Sequence, residues 1–97
     1  MKKAIVIGSG IGGIAASIRL ARKGYSVKVF EASDYPGGKL SQFKLGDYRF
    51  DRGPSLFTLP QYVEELFALC EERMCDYFSY SELPILCKYF YPDGFTF

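Results

Sequence analysis

The sequence predicts a three-layer α/β fold, in which helices cover both faces of a parallel sheet. Residues 4–7 form a continuous run of apolar strand formers, which precedes a glycine-rich turn and a segment with helical periodicity. A second strand is predicted over residues 27–31. Strand, helix and strand in this order make a βαβ unit, whose crossover is right-handed and whose strands are parallel. With 97 residues, the chain is long enough for one small domain at most.

The helix of this unit is predicted over residues 14–23. Ile14, Ile18 and Ala21 share one helical face, and Gly24 is expected at the C-terminal cap. Basic residues gather in the last turn, where the helix dipole favours cations: Arg19, Arg22 and Lys23.

A hairpin and a second helix are predicted next. Residues 40–44 and 48–51 alternate around a turn at residues 45–47. Thr58 and Gln61 have the spacing of a capping box, and Pro60 fits the first turn of the helix that follows. One face of this helix is apolar: Val63, Leu66, Phe67 and Cys70. Residues 85–91 and 95–97 are then expected to be strands that flank a Pro92-Asp93-Gly94 turn.

Composition excludes several function classes. Twelve basic and eleven acidic residues give a net charge of +1 without charged blocks, so we expect no nucleic-acid partner. The absence of histidine excludes Ser-His-Asp and Cys-His nucleophiles and histidine-ligated metals.

The cysteines at 70, 75 and 87 lack metal-site spacing, so we expect reduced thiols, no metal and a cytoplasmic location. The uncharged segment 4–18 is shorter than the roughly 20 residues of a membrane span.

The glycine-rich turn contains a motif that predicts ligand binding. Gly8-Ser9-Gly10-Ile11-Gly12-Gly13 satisfies G-x-G-x-x-G between a strand and a helix, which is the dinucleotide-binding fingerprint of Rossmann-like folds. The first glycine permits a tight turn, the second lets backbone approach a pyrophosphate, and the third lets the helix lie close to the strand. Glu31 lies eighteen residues after Gly13, where a carboxylate accepts hydrogen bonds from the adenosine ribose.

Two further motifs carry a family resemblance. Residues 32–39 end in Gly37-Gly38-Lys39, and residues 50–54 read Phe-Asp-Arg-Gly-Pro. From residue 3 to about residue 60, the sequence resembles carotenoid desaturases of the bacterial phytoene desaturase type, within the FAD-dependent amine oxidase-like flavoproteins. Beyond residue 60 the resemblance weakens, although the Tyr-Pro-Asp-Gly segment looks like the first substrate-domain hairpin of those enzymes.

The resemblance implies FAD as the cofactor. The three motif glycines and the amides of Ser9 and Ile11 would hold its pyrophosphate, and Glu31 would hold the ribose. Lys39, where the family usually has arginine, would contact phosphate or ribose as a point charge without the planar fork of arginine. Gly37 and Gly38 would let backbone pass close to FAD. The expected cofactor-binding residues are Gly8, Ser9, Gly10, Ile11, Gly12, Gly13, Glu31, Ala32, Gly37, Gly38, Lys39, Gly53, Pro54 and Ser55, the last three near the isoalloxazine.

The implied reaction is oxidoreduction. In the resembled family, a long isoprenoid hydrocarbon, a carotenoid precursor, loses hydride to the flavin and gains a double bond. Residues 1–53 would then form the FAD-binding half-site, and residues 54–97 would begin an incomplete substrate-binding region. Family members are several times longer, so we expect this chain alone to be inactive, to hold FAD weakly or not at all, and to self-associate. Peripheral membrane association of a longer protein is left open, and no catalytic residue is identified.

Alternatives remain at the level of function and of single residues. The chain could instead belong to an amine oxidase-like or carotenoid-isomerising flavoprotein, or be a non-catalytic nucleotide-binding module. Lys39 could be a solvated surface lysine, Pro54 a plain turn residue and Asp51 a turn carboxylate. An aromatic run could line a polyene channel or form sheet core: Tyr77, Phe78, Tyr80, Tyr89, Phe90 and Tyr91.

Overall fold

The predicted βαβ unit is confirmed. The structure, a computed structural model, describes residues 1–85, 87–94 and 96. Strand β1 (Lys3–Ile7) and strand β2 (Ser26–Phe30) pair in parallel, and helix α1 (Ile11–Arg22) connects them. Paired residues of parallel strands share a face, and α1 half-buries the face that carries Ala4, Val6 and Val27.

Helix α1 begins three residues earlier than its periodicity indicated. Gly12 and Gly13 adopt helical conformation, and Gly10 is the extended N-cap residue, with φ −69° and ψ −179°. The C-terminal cap is confirmed, since Gly24 has φ +94° and its amide donates to the Ala21 carbonyl at 3.0 Å. The amide of Tyr25 donates to the Leu20 carbonyl at 3.2 Å, which completes a Schellman motif.

The first hairpin is also confirmed. Strands β3 (Ser41–Leu45) and β4 (Tyr48–Arg52) pair antiparallel around Gly46, whose φ is +60°. Phe43 and Phe50 are directly opposite, and their rings stack with centroids 5.4 Å apart. Such cross-strand aromatic pairs stabilise two-stranded ribbons.

Helix α2 (Pro60–Leu69) starts with the expected proline, but the predicted capping box is wrong. The N-cap residue is Leu59, which adopts the left-handed conformation (φ +51°, ψ +52°), and no side chain caps the helix. Because the chain turns at Leu59, Thr58 lies one position too early to reach the amides of the first turn. A 3-10 turn, Met74–Asp76, follows α2. Arg19 of α1 forms a salt bridge with Glu65 of α2, with 3.4 Å between the guanidinium nitrogen and Oε1.

The second predicted hairpin is reduced to its turn. The amide of Gly94 donates to the Tyr91 carbonyl at 3.0 Å, and Phe90 and Thr96 form an isolated antiparallel bridge. Among the described residues of 85–91 there is no strand, so that prediction is wrong; residues 86, 95 and 97 lie outside the described part of the chain. A hairpin that no further strand or helix covers is marginal in water.

Little of the chain is buried. In the described residues, Met74 and Ser9 alone are buried, and the sheet face opposite α1 exposes Ile5 (67%), Ile7 (88%) and Phe30 (55%). Helix α2 lies beside α1 and makes no contact with this face. The radius of gyration is 18.0 Å, compared with about 13 Å for a compact domain of this size. Of the three predicted layers, the described residues therefore show the sheet and the helical layer on one of its faces.

Candidate dinucleotide-binding site

The glycine loop has the backbone geometry that its sequence predicts. Gly8 has φ +101°, a conformation that side chains other than glycine rarely adopt, and its amide donates to the Phe30 carbonyl at 2.7 Å. A Cβ on Gly13 would overlap the Gly8 carbonyl oxygen, whereas a Cβ on Gly10 would meet nothing within 4 Å. Gly8 therefore makes the turn, Gly13 permits close packing of helix on loop, and Gly10 leaves open space beside the helix N-terminus.

The first turn of α1 suits an anion. It contains no acidic residue, and the unpaired amides and positive dipole end of a helix N-terminus attract phosphate. Ile11 and Gly12 begin this turn and follow the N-cap residue Gly10 directly in the chain.

The carboxylate of Glu31 is fixed at the end of β2. Its Oε1 accepts hydrogen bonds from the amide of Ser9 at 2.7 Å and from the Ser9 hydroxyl at 2.9 Å, and its Oε2 accepts one from the amide of Ser33 at 3.0 Å. The Ser33 amide, then the Ser9 amide and hydroxyl, lower the pKa of Glu31 from 4.5 to about 2, and the backbone of Ala32 adds the smallest contribution. Glu31 is exposed, so ligand hydroxyls can reach the ionised group.

The amide of Ser9 has a different partner from the one expected. The resemblance implied that it would hold the pyrophosphate, but in the structure it donates to Glu31. Ser9 is one of the two buried residues described, and its hydroxyl points to the same carboxylate. In this arrangement Ser9 orients the carboxylate of Glu31.

The second glycine pair packs against the first loop. The amide of Gly37 donates to the Ser9 carbonyl at 2.7 Å, and Gly37 forms a parallel bridge with Gly10. A Cβ on Gly38 would lie 3.2 Å from the Cα of Gly10. Gly37 and Gly38 thus pack directly against the glycine loop, a contact that could not be predicted from the sequence because it joins distant segments.

Lys39, Gly53 and Pro54 converge on a cavity of about 450 Å³ that lies beside Gly38 and Ser33. Gly53 has φ +104°, and a Cβ there would overlap the Lys39 carbonyl oxygen, so the two segments touch through backbone. Arg52 lines the same cavity, and sequence reasoning missed it. Its pairing with Ser41 in the hairpin register is the structural signal that places it there.

Ser55 lies apart from this group. It lines a separate cavity of about 690 Å³ that is also lined by Phe57 and Tyr80. Phe57 contacts Tyr80 and Phe78 edge to face, with ring centroids 5.2 and 5.8 Å apart, and Tyr77 lies against Phe67 at 5.1 Å. These rings belong to no strand, so the expectation of sheet core is wrong for the aromatic residues 77, 78 and 80. A polyene channel stays a prediction.

The part of the chain that the structure describes contains neither a metal-binding cluster nor a membrane-spanning helix. In residues 1–85, 87–94 and 96, no group of three or more Cys, Asp or Glu side chains is arranged to hold a metal ion. In the same part of the chain, neither helix has the length and apolar character to cross a membrane.

The fold and the loop define a class of protein. The chain belongs to the NAD(P)-binding Rossmann-like domain family, whose family model matches residues 6–73. The matched residues include the end of β1, the glycine loop, α1, β2 and the carboxylate of Glu31.

Particular relatives are named for carotenoid reactions, which confirms the resemblance to carotenoid desaturases. A 1-hydroxycarotenoid 3,4-desaturase from Flavobacterium sp. (strain P99-3) is 56% identical over 97 residues, covering 100% of this chain and 20% of the relative. A 4,4'-diaponeurosporene oxygenase from Staphylococcus aureus (strain MRSA252) is 44% identical over 95 residues, with 98% and 19% covered. A solved oxidoreductase from Methanosarcina mazei is 33% identical, with 57% of this chain and 13% of that chain covered and a TM-score of 0.49. The chain spans about one fifth of the curated relatives it matches.

Proposed function

We propose that the chain is the FAD-binding part of a longer oxidoreductase that desaturates a carotenoid or a related isoprenoid hydrocarbon. The observation that carries this proposal is the fixed carboxylate of Glu31 beside an open glycine loop. The names of relatives 56% and 44% identical to this chain support the substrate class.

The residues present fit the adenosine diphosphate half of FAD. A pyrophosphate would occupy the open space at Gly10, against the N-terminus of α1, where a side chain would otherwise project. The adenosine ribose hydroxyls would donate to Glu31, whose carboxylate Ser9 and Ser33 already hold in one orientation. When bound, FAD supplies the hydride acceptor of the reaction, and this chain supplies binding and orientation.

The choice of FAD over NAD rests on the relatives and not on the loop. Both cofactors share adenosine, ribose and pyrophosphate, so Glu31 and Gly10 suit either. The desaturase and oxygenase names of the relatives, together with the resemblance to flavoproteins in residues 3–60, favour the flavin.

Equilibrium dialysis of the purified chain against FAD, NAD⁺ and ADP tests the cofactor. We expect ADP, FAD and NAD⁺ to bind with similar modest affinity, since the described site contacts the half that all three share, and we expect Gly10→Val to abolish binding of all three. Binding of NAD⁺ with no binding of FAD would overturn the flavin assignment. Equal binding by wild type and Gly10→Val would overturn the dinucleotide site itself.

The substrate is tested with the longer protein. Anaerobic mixing of its flavin-loaded form with an acyclic carotenoid should bleach the flavin absorbance and lengthen the polyene chromophore by one double bond per flavin reduced. Bleaching by an amine, with no response to a carotenoid, would instead assign the protein to amine oxidation.

A further inference from the structure

Arg52 is a second cationic residue, beside Lys39, at the edge of the proposed dinucleotide site. The 450 Å³ cavity beside Gly38 is lined by Lys39 and Arg52 and by the hydroxyl-bearing residues Ser33, Tyr35 and Ser41. The lining residues thus include two cations and three hydroxyl groups, which can donate hydrogen bonds to a multiply charged oxyanion such as a phosphate ester.

The hairpin register decides which arginine reaches this cavity. Arg52 pairs with Ser41, and its guanidinium lies over the ring of Phe43 with 5.1 Å between Cζ and the ring centroid. Arg49 projects from the opposite face of the same strand, where it pairs with Asp51 at 2.7 Å and bonds Gln42. One arginine of β4 is thus neutralised by a neighbour, and the other faces the cavity.

Neither cavity cation is neutralised by a carboxylate in the described chain. Within residues 1–85, 87–94 and 96, the ion pairs are Arg19–Glu65 and Arg49–Asp51, and no acidic group lies within 4.0 Å of the charged nitrogens of Lys39 or Arg52. Arg52 is instead preorganised by Phe43, because stacking on a ring limits the rotamers of the guanidinium.

The cavity adjoins both parts of the proposed nucleotide site. Gly38 connects it to the glycine loop, since a Cβ on Gly38 would lie 3.2 Å from the Cα of Gly10. Ser33 connects it to the ribose-binding carboxylate, since the Ser33 amide donates to Glu31 at 3.0 Å. A ligand that spans Gly10 and Glu31 therefore runs along the cavity rim.

We propose that Arg52 is a binding residue for the cofactor pyrophosphate, with its guanidinium donating two hydrogen bonds to phosphate oxygens and Lys39 adding a single charge. This inference rests on the proposed dinucleotide function and names a residue that completes the site. Arginine offers the planar fork that matches a phosphate bidentately, and lysine does not, so the two cations contribute unequally. The pyrophosphate is favoured over a ribose 2'-phosphate because a 2'-phosphate would lie against the Glu31 carboxylate and be repelled by it.

Calorimetric titration of the 97-residue chain with adenosine, ADP and adenosine 2',5'-bisphosphate tests the assignment. Arg52→Gln should weaken ADP binding about tenfold, the loss expected for a charge-assisted bidentate contact at an exposed site, and should leave adenosine affinity unchanged. Arg52→Lys should recover part of the loss, since it restores the charge without the fork. Arg49→Gln is the matched control, because it removes the same charge from the other face of β4 and should change ADP affinity by no more than about twofold.

The alternatives give different results. Equal ADP affinity in wild type and Arg52→Gln overturns the proposal while the dinucleotide site stands. A loss of adenosine affinity as large as the loss of ADP affinity overturns it in favour of a structural role on Phe43. A larger loss for the 2',5'-bisphosphate than for ADP would assign Arg52 to a 2'-phosphate. If the wild-type chain binds no more ADP than the Gly10→Val variant, both the proposed function and the role of Arg52 are refuted.

Discussion

Adding one methyl group at adjacent glycines of α1 should have opposite effects on stability. A Cβ on Gly13 would overlap the carbonyl oxygen of Gly8 and lie 3.0 Å from the Gly8 carbonyl carbon, and neither atom can rotate away. A Cβ on Gly12 would meet nothing within 4 Å. The two positions share one helical turn, so Gly12→Ala is a close control for Gly13→Ala.

The magnitudes follow from two competing contributions. Replacing glycine by alanine in a helix stabilises it by about 0.5–1 kcal/mol, whereas overpacking costs about 1–3 kcal/mol. Because the obstruction at Gly13 is backbone, we take the upper end of the overpacking range, which leaves Gly13→Ala less stable by about 2 kcal/mol. Gly12→Ala should be up to about 1 kcal/mol more stable than wild type.

Urea denaturation followed by far-ultraviolet circular dichroism measures both variants against wild type. A fall of about 2 kcal/mol corresponds to roughly a thirtyfold change in the folding equilibrium, well above the error of the method. If Gly13→Ala proved as stable as Gly12→Ala, the close approach of helix to loop would be refuted, and with it the account of the third motif glycine.

Three further predictions concern the loop, its carboxylate and the exposed sheet. Gly10→Val should bind no FAD in a fluorescence titration yet unfold at the wild-type urea concentration, since the extended backbone of Gly10 tolerates valine and its Cβ would project into open space; unchanged affinity would contradict this. Carbon-13 titration should give Glu31 a pKa of about 2, raised in Ser9→Ala, and a normal value in wild type would refute the hydrogen bonds. Because this pKa lies below 4.5, ionised Glu31 stabilises the loop fully above pH 4.5, and that contribution is lost as pH falls through about 2. Light scattering should show self-association that Ile5→Lys reduces, whereas a monodisperse monomer would show that the bare sheet face is tolerated.

Local signals determined the nucleotide half-site in advance. The apolar strands, the helical periodicity and the order of the three motif glycines each depend on residues within a few positions of one another, so they can be read from the chain alone. Gly24 as a helix cap and Gly46 as a hairpin turn belong to the same kind, because positive φ is a local requirement that glycine meets. Glu31 was placed by its distance from Gly13, a spacing that the length of one βαβ crossover sets.

Local signals were insufficient where two backbone conformations competed. Thr58 and Gln61 have capping-box spacing, yet the chain enters α2 through a left-handed Leu59, and no sequence rule favours that conformation for leucine. The strand predicted over residues 85–91 has suitable residues but no covering layer among the described ones, and strand propensity without burial does not hold a strand.

The sequence by itself determined that this chain carries a glycine loop, a helix N-terminus and a carboxylate in the order that a dinucleotide requires. Only the tertiary structure decided how Ser9 is used, where Gly37 packs and which arginine of β4 lines the cavity beside Gly38. Ser9 and Glu31 are 22 positions apart, and Arg52 lines the same cavity as Lys39 because the hairpin register pairs Arg52 with Ser41. The physical reason is that such contacts form only when separate strands and loops come together. The order of residues in the chain does not specify which groups then become hydrogen-bond partners or which side of a strand each side chain occupies.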